Sequence, residues 1–147
     1  MIAEKLREAY PNLLISTNFF LAPVPLHSSR RRWRGFNQAE ILCQALAEEL
    51  SLPIMDVLVR NKSTKTQKDL KKEQRMKNVA NVFALSPKIL NPGPASARAE
   101  RDGSAILNQN FILVDDVATT GATLQEAAKI LKRNGAAKVI CLTVARD

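Results

Sequence analysis

The sequence predicts a three-layer α/β fold, a central and mainly parallel sheet with helices on both faces, and three observations predict it. Short apolar runs alternate with segments of helical periodicity along the 147 residues. The run Phe111–Val114 shows no polar alternation, as expected of a strand covered on both faces. It leads through Asp115 and Asp116 into a loop of small and hydroxyl residues and then a helical pattern, a βα unit whose right-handed crossover returns to the apolar run Lys138–Ala145. The length suits one domain, residues 1–147, large enough to bury a proper core.

The elements follow in order. Ile2, Leu6 and Ala9 share one helical face, and Pro11 closes a short amphipathic helix over Ile2–Ala9. Phe19–Leu26 reads as a buried strand whose prolines mark its end or an edge. His27–Gly35 is expected to be a loop. Asn37 with Glu40 has the form of a capping box before a helix whose Ala39, Leu42, Cys43, Leu46 and Leu50 fall on one face. Pro53–Val59 is a second strand and Val79–Leu85 resumes the sheet. Between them residues 60–78 are lysine-rich and nearly free of apolar side chains, so they are expected to form a mobile basic hood. Residues 87–104, with Asn91-Pro92-Gly93-Pro94, form an exposed, disordered insertion. Ile106 and Leu107 are expected to pair briefly with the sheet. Thr123 with Glu126 forms a second capping box for the helix carrying Leu124, Ala127, Ala128 and Leu131, which stops at Asn134-Gly135.

Composition is ordinary, 46% hydrophobic and 24% charged, but the formal charge is +8. Arg30–Arg34 holds four arginines and Arg60–Lys77 holds eight basic residues against Asp69 and Glu73. The remainder carries ten basic and twelve acidic residues, so the positive charge is local and faces an anionic partner. The longest apolar run, Leu13–Leu26, is interrupted by polar residues and prolines and is too short to span a bilayer. No signal-peptide pattern follows Met1. Cys43 and Cys141 stand far apart, outside any metal-ligand spacing, and read as buried free thiols in a reducing, cytoplasmic setting.

Phe111–Thr123 carries the chemistry. A strand, a small-residue loop and a helix N-terminus present free amides and hydroxyls to an anion, and a phosphate monoester fits. Ligands collect at the carboxyl ends of parallel strands, so Asp115 and Asp116 sit beside that phosphate. Two carboxylates there must address something else, sugar hydroxyls or magnesium. A phosphorylated ribose meets both needs.

These residues resemble the phosphoribosyl pyrophosphate (PRPP) signature of type I phosphoribosyltransferases. The resemblance implies that Asp115 and Asp116 hold the ribose hydroxyls, directly or through Mg2+, while Val117, Ala118, Thr119, Thr120, Gly121, Ala122 and Thr123 cradle the 5′-phosphate. The plain alternative is a strand end with two capping acids and an ordinary turn. Val24-Pro25-Leu26, Arg34-Gly35-Phe36-Asn37-Gln38-Ala39, then Thr66-Gln67, Leu70, Arg75, Asn78 and Phe83 are similar to the ComF family, competence-associated proteins built on the same fold. That resemblance runs from about Phe20 to the C-terminus. Members usually open with a cysteine-rich zinc-binding segment; this chain has no paired cysteines, and no zinc is inferred.

The resemblance further places His27–Gly35 at the pyrophosphate, with Arg34 the first choice because a guanidinium pairs two diphosphate oxygens. Arg30–Arg32 read equally well as a solvated basic face. Arg75 is the matching cation of the hood, with Gln67 and Asn78 as polar supports. Purine salvage members carry a carboxylate base where this chain has Thr119, so an amine or ammonia acceptor, or a base from elsewhere, is implied. Trp33 either stacks on a base of single-stranded nucleic acid or, the favoured reading, covers apolar surface. His27 is read as a hydrogen-bonded loop residue. The expected activity is transfer of ribose 5-phosphate from PRPP with pyrophosphate release. The alternatives are a single-stranded DNA-binding accessory of the competence machinery and a PRPP sensor without turnover. A homodimer is implied by the superfamily alone, and no membrane insertion is expected.

Overall fold

The computed structural model describes residues 2–11, 19–61, 81–90, 105–118 and 120–146. In chain order the elements are α1 (Ile2–Ala9), β1 (Phe19–Pro23), α2 (Ser28–Arg34), α3 (Gln38–Leu50), β2 (Leu58–Arg60), β3 (Phe83–Leu85), α4 (Pro87–Leu90), β4 (Asn110–Ala118), α5 (Ala122–Arg133) and β5 (Lys138–Arg146). The main sheet has the order β1-β4-β5, and both pairings are parallel. Ile54 adds a parallel bridge to Leu21 on the far side of β1. β2 and β3 form a separate antiparallel ribbon.

The apolar run in β4 explains the three layers. Successive side chains of a strand point to opposite faces, and here Phe111 and Leu113 join a cluster with Ala127 and Leu131 of α5, while Ile112 and Val114 join Cys43, Leu46 and Leu50 of α3. Ala3 and Leu6 of α1 extend the second cluster, and Val57, Leu58, Val82 and Phe83 of the ribbon extend the first. The sheet is therefore covered on both sides, as its unbroken hydrophobicity requires. All four residues Phe111–Val114 are fully buried, and this strand anchors the core.

Several boundaries differ from the sequence expectation. β1 stops at Pro23 rather than Leu26, although Val24 still donates its N–H to the Val114 carbonyl at 2.9 Å. Pro53–Val59 yields one bridge at Ile54 and a strand only from Leu58. Ile106 and Leu107 lie in a turn instead of pairing, with Ile106 fully buried beneath it. In that turn Gln109 donates to the Ile106 carbonyl and Asn108, at φ 59°, to Gly135. Within the expected insertion, Pro87–Leu90 is a single helical turn whose start is tied to Ser86; residues 91–104 lie outside the described residues.

His27–Gly35 is a helix instead of a loop. The His27 side chain accepts from the Ser29 N–H and caps α2, arginine is a good helix former, and Gly35 at φ 80° closes the last turn by donating to the Arg31 carbonyl. The histidine is thus hydrogen-bonded as expected, in the role of a helix cap. Trp33 is 84% exposed, so among the described residues it is not packed over apolar surface. Cys43 is buried, and burial with nearby carboxylates pushes its thiol up to about 12. Cys141, by contrast, is exposed, on β5, which among the described residues pairs with β4 alone. Among the described residues no helix is long and apolar enough to cross a membrane.

Candidate functional site

β4 continues past its apolar run, so the acidic pair stands within the last turns of the pleat rather than beyond it. Asp115 pairs with Thr143 of β5, and Val117 and Ala118 pair with Ala145 and Arg146. The extension exists because β5 supplies nine residues of parallel edge to meet it. Thr143 holds this end a second way, its single hydroxyl proton within reach of the Ala145 carbonyl at 2.9 Å or the Asp116 carbonyl at 3.3 Å.

Each aspartate is oriented by the backbone that follows it. The Asp116 N–H donates to Asp115 Oδ1 at 3.0 Å, and the Val117 N–H to Asp116 Oδ1 at 2.9 Å. Burial, and then the neighbouring charge of Asp116, push the Asp115 carboxyl up to about 7, with Arg60 pulling the other way. A carboxyl raised above its ordinary 3.8 stabilises the fold through its neutral form. That contribution is fully present below about pH 4 and is lost as the pH rises through 7. Asp115→Asn should therefore melt higher than the parent at pH 8.5, by about 1–3 kcal/mol of stability. The gain should vanish near pH 4; a gain independent of pH would refute the buried, charge-opposed carboxyl.

Beyond Ala118 the described chain resumes at Thr120, Thr119 lying outside it. Thr120 Oγ1 accepts from the Ala122 N–H at 3.4 Å. Gly121, at φ 72°, is the N-cap of α5 and provides no side-chain cap, which leaves the Thr123 and Leu124 amides of the first turn, beyond the Ala122 amide already taken by Thr120, for another acceptor. Thr123 is inside the helix rather than at its cap, and Glu126 pairs with Lys129, so the expected capping box does not form. The described residues nevertheless supply the parts of an anion cradle: a strand end, a left-handed glycine and the N-terminus of a twelve-residue helix.

The end of β1 is fixed beside it. Asn37, only 3% exposed, donates through Nδ2 to the Val24 carbonyl at 3.1 Å and accepts the Ala39 N–H on Oδ1, tying the cap of α3 to the strand. Glu40 does not complete a capping box; it pairs with Arg31 at 2.8 Å. Arg34 ends α2 and donates to Gln38 at 3.3 Å, on the segment that leaves the carboxyl end of β1. Asp115, Asp116, Val117 and Ala118 thus end β4, Thr120, Gly121, Ala122 and Thr123 lead into and begin α5, and Arg34 ends the helix that follows the neighbouring strand β1. Arg75, Gln67, Asn78 and residues 62–78 of the expected hood lie outside the described residues.

Three residues of this region had no site role in the sequence. Asn37 was read as a cap within a matched motif, Thr143 only as part of a closing strand, and Arg60 as the first residue of the mobile basic hood, whereas it closes β2. Register and packing bring the last two to the acidic pair, and no local pattern could have done so.

Among the described residues no group of three or more His, Cys, Asp or Glu side chains could hold a metal. Two adjacent carboxylates fit a magnesium ion that keeps water and ligand oxygens for most of its coordination, and do not fit an all-protein cage.

Comparison with known proteins bears on what this site does. The phosphoribosyl transferase domain family matches residues 37–147. Competence protein F of Haemophilus influenzae is 35% identical over 127 residues, covering 86% of this chain and 49% of that protein. Competence protein ComFC of Bacillus subtilis is 38% identical over 131 residues, covering 88% and 45%. The chain thus spans about half the length of the curated relatives it matches. The adenine phosphoribosyltransferase of Saccharomyces cerevisiae is similar in fold, with a TM-score of 0.53 at 18% identity over 99% of this chain and 64% of that one.

Proposed function

The chain belongs to the phosphoribosyl transferase domain family, as a competence protein F-like member with a type I fold, and from that premise we propose that it binds PRPP and transfers ribose 5-phosphate to an amine acceptor. The observation that carries the reading is the junction of β4 and α5, an acidic pair followed within a few residues by an uncapped helix N-terminus at a left-handed glycine. One end of that junction suits sugar hydroxyls and the other a phosphate monoester.

In this reading Thr120, Gly121, Ala122 and Thr123, with Val117, Ala118 and Thr119, receive the 5′-phosphate. Asp115 and Asp116 accept hydrogen bonds from the ribose 2′ and 3′ hydroxyls and hold Mg2+, directly or through its waters. Magnesium, when bound, neutralises diphosphate charge. Arg34 and Arg75 pair with the diphosphate oxygens. The bond from the anomeric carbon to the pyrophosphate oxygen breaks, pyrophosphate leaves with the bonding pair, and the amine nitrogen bonds to that carbon and gives its surplus proton to water. Catalysis comes from positioning and from charge neutralisation of the leaving group. Thr119 offers no carboxylate base, which is why the acceptor class is an amine nucleophilic without one.

The test is calorimetric titration of the protein with PRPP, with and without magnesium, followed by pyrophosphate release assayed with ammonia and simple amines. Magnesium-dependent binding with release supports the reading. Binding with no release under any acceptor makes the protein a PRPP sensor, and no binding at all removes the reading.

A second reading rests on Trp33. This tryptophan is 84% exposed between Arg32 and Arg34 on a helix without acidic residues, an arrangement that suits stacking against a base of single-stranded DNA. Trp33 is the only tryptophan of the chain and reports directly. Oligo-thymidine should quench its fluorescence and the affinity should fall steeply with salt; by anisotropy of a labelled oligonucleotide, which needs no tryptophan, Trp33→Ala should weaken binding roughly 5- to 100-fold. Absence of quenching at low salt removes this reading.

A further inference from the structure

β5 leaves one side of the main sheet open: among the described residues it pairs with β4 alone, along nearly its whole length. Natural edge strands are guarded by shortness, charge, proline or a bulge, because their unpaired N–H and C=O groups accept a further strand. β5 is nine residues long, and Val139–Ala145 within it holds no charged residue and no proline. The middle of this edge carries no such guard.

A groove of about 440 Å³ runs along it. Ile140–Val144 line one side, and Leu6, Ala9 and Tyr10, on and just after α1, line the other. Successive strand residues point to opposite faces, and Ile140 and Leu142 join the cluster that holds Leu6 while Val139 packs against the other cluster. A groove that touches consecutive residues therefore follows the edge of the strand itself, where the backbone is within reach. Cys141 and Val144 are exposed there. An extended segment suits this shape: its main chain bonds the edge, and every second side chain enters the space between β5 and α1.

The charge around the groove selects the occupant. Lys5, an exposed residue of α1, lines it, and Lys138 stands with its ammonium 5.2 Å from the centre of the Tyr10 ring. Among the described residues no acidic side chain lines the groove. A second copy of this chain would bring the same lysines, and a formal charge of +8, against their own likeness. A segment of opposite charge meets no such repulsion.

We propose that the edge of β5 is a docking site for an extended segment of a partner protein, about five residues long, with apolar side chains at alternate positions and a flanking acidic residue. The site is separate from the acidic pair and does not rest on the PRPP reading.

Hydrogen exchange of the whole protein, with and without the acetylated peptide Asp-Val-Thr-Ile-Thr-Val-Glu, tests it. Saturating peptide should slow exchange in Val139–Ala145 at least about fivefold and leave α3 and β1 unchanged. By anisotropy of the labelled peptide, Val144→Lys should weaken binding about tenfold or more. Lys5→Glu, on the exposed side of α1, should weaken it roughly 3- to 10-fold and strengthen binding of Lys-Val-Thr-Ile-Thr-Val-Lys by a similar factor; it is the deciding variant if Val144→Lys does not fold. No slowing of β5 at about 1 mM peptide overturns the proposal. Equal affinity of the parent for the acidic and basic peptides overturns it too. β5 amides that are fully protected before peptide is added also overturn it, since the edge is then covered by this chain itself. So does protection that rises with protein concentration alongside a dimer in sedimentation, which assigns the edge to a second copy.

Discussion

Asp115→Asn combined with Asp116→Asn should abolish measurable PRPP binding, a loss of at least ~100-fold, while leaving the protein folded. The argument joins two properties of the pair. Asp115 is held in a setting that opposes its charge, by burial and by the adjacent carboxylate, so its ionised form costs the fold stability. Replacing both acids by amides of the same shape removes that opposition and keeps an acceptor for the Asp116 and Val117 amides. The double variant should accordingly melt at the parent temperature or above it at pH 8.5. It should nonetheless lose the anionic acceptors for sugar hydroxyls and the adjacent carboxylate pair at this end of the sheet. Stability gained with ligand lost would separate the two roles of these side chains, an expected pattern where a site is maintained against local stability. Full PRPP affinity in a folded double variant would sink the assignment.

Gly121→Val should be nearly as damaging, for a different reason. A Cβ added at Gly121 meets no atom within 4 Å, so the protein has room for it. The cost lies in the backbone: φ is 72°, a region a β-branched residue avoids, at about 1–2 kcal/mol. Valine would relieve that strain by moving the residue toward negative φ, which turns the first amides of α5 away from the loop. We expect ribose 5-phosphate affinity to fall roughly 30-fold or more, with only a modest drop in melting temperature. Gly121→Asn is the control, since asparagine tolerates the left-handed region, and it should bind severalfold better than the valine variant. Ordinary binding by Gly121→Val would count against the loop as a phosphate cradle.

Much of the site was legible in the chain because its parts are consecutive. The apolar run, the acidic pair, the small-residue loop and the start of α5 occupy one unbroken stretch, and their order alone implies a strand end facing a helix N-terminus. The amphipathic α1, the cap at Asn37 and the stop at Asn134-Gly135 were legible for the same reason, being set by residues within a turn of one another. The helix at Ser28–Arg34 escaped notice because its cap is a histidine, an uncommon residue in that role, and its seven residues carry no apolar stripe.

What the sequence by itself determined is the βα order, the covered strand Phe111–Val114 and the composition of the candidate site. These depend on spacing, and spacing is visible in one dimension. The tertiary structure alone decided that β4 runs on through Asp115 and Asp116, because its length depends on β5 lying alongside it. It also decided that Asp115 is raised, that Trp33 and Cys141 face outward, and that Arg60 stands over Phe83 within electrostatic reach of the acidic pair. Burial and field are sums over neighbours, and the neighbours that matter here come from distant parts of the chain.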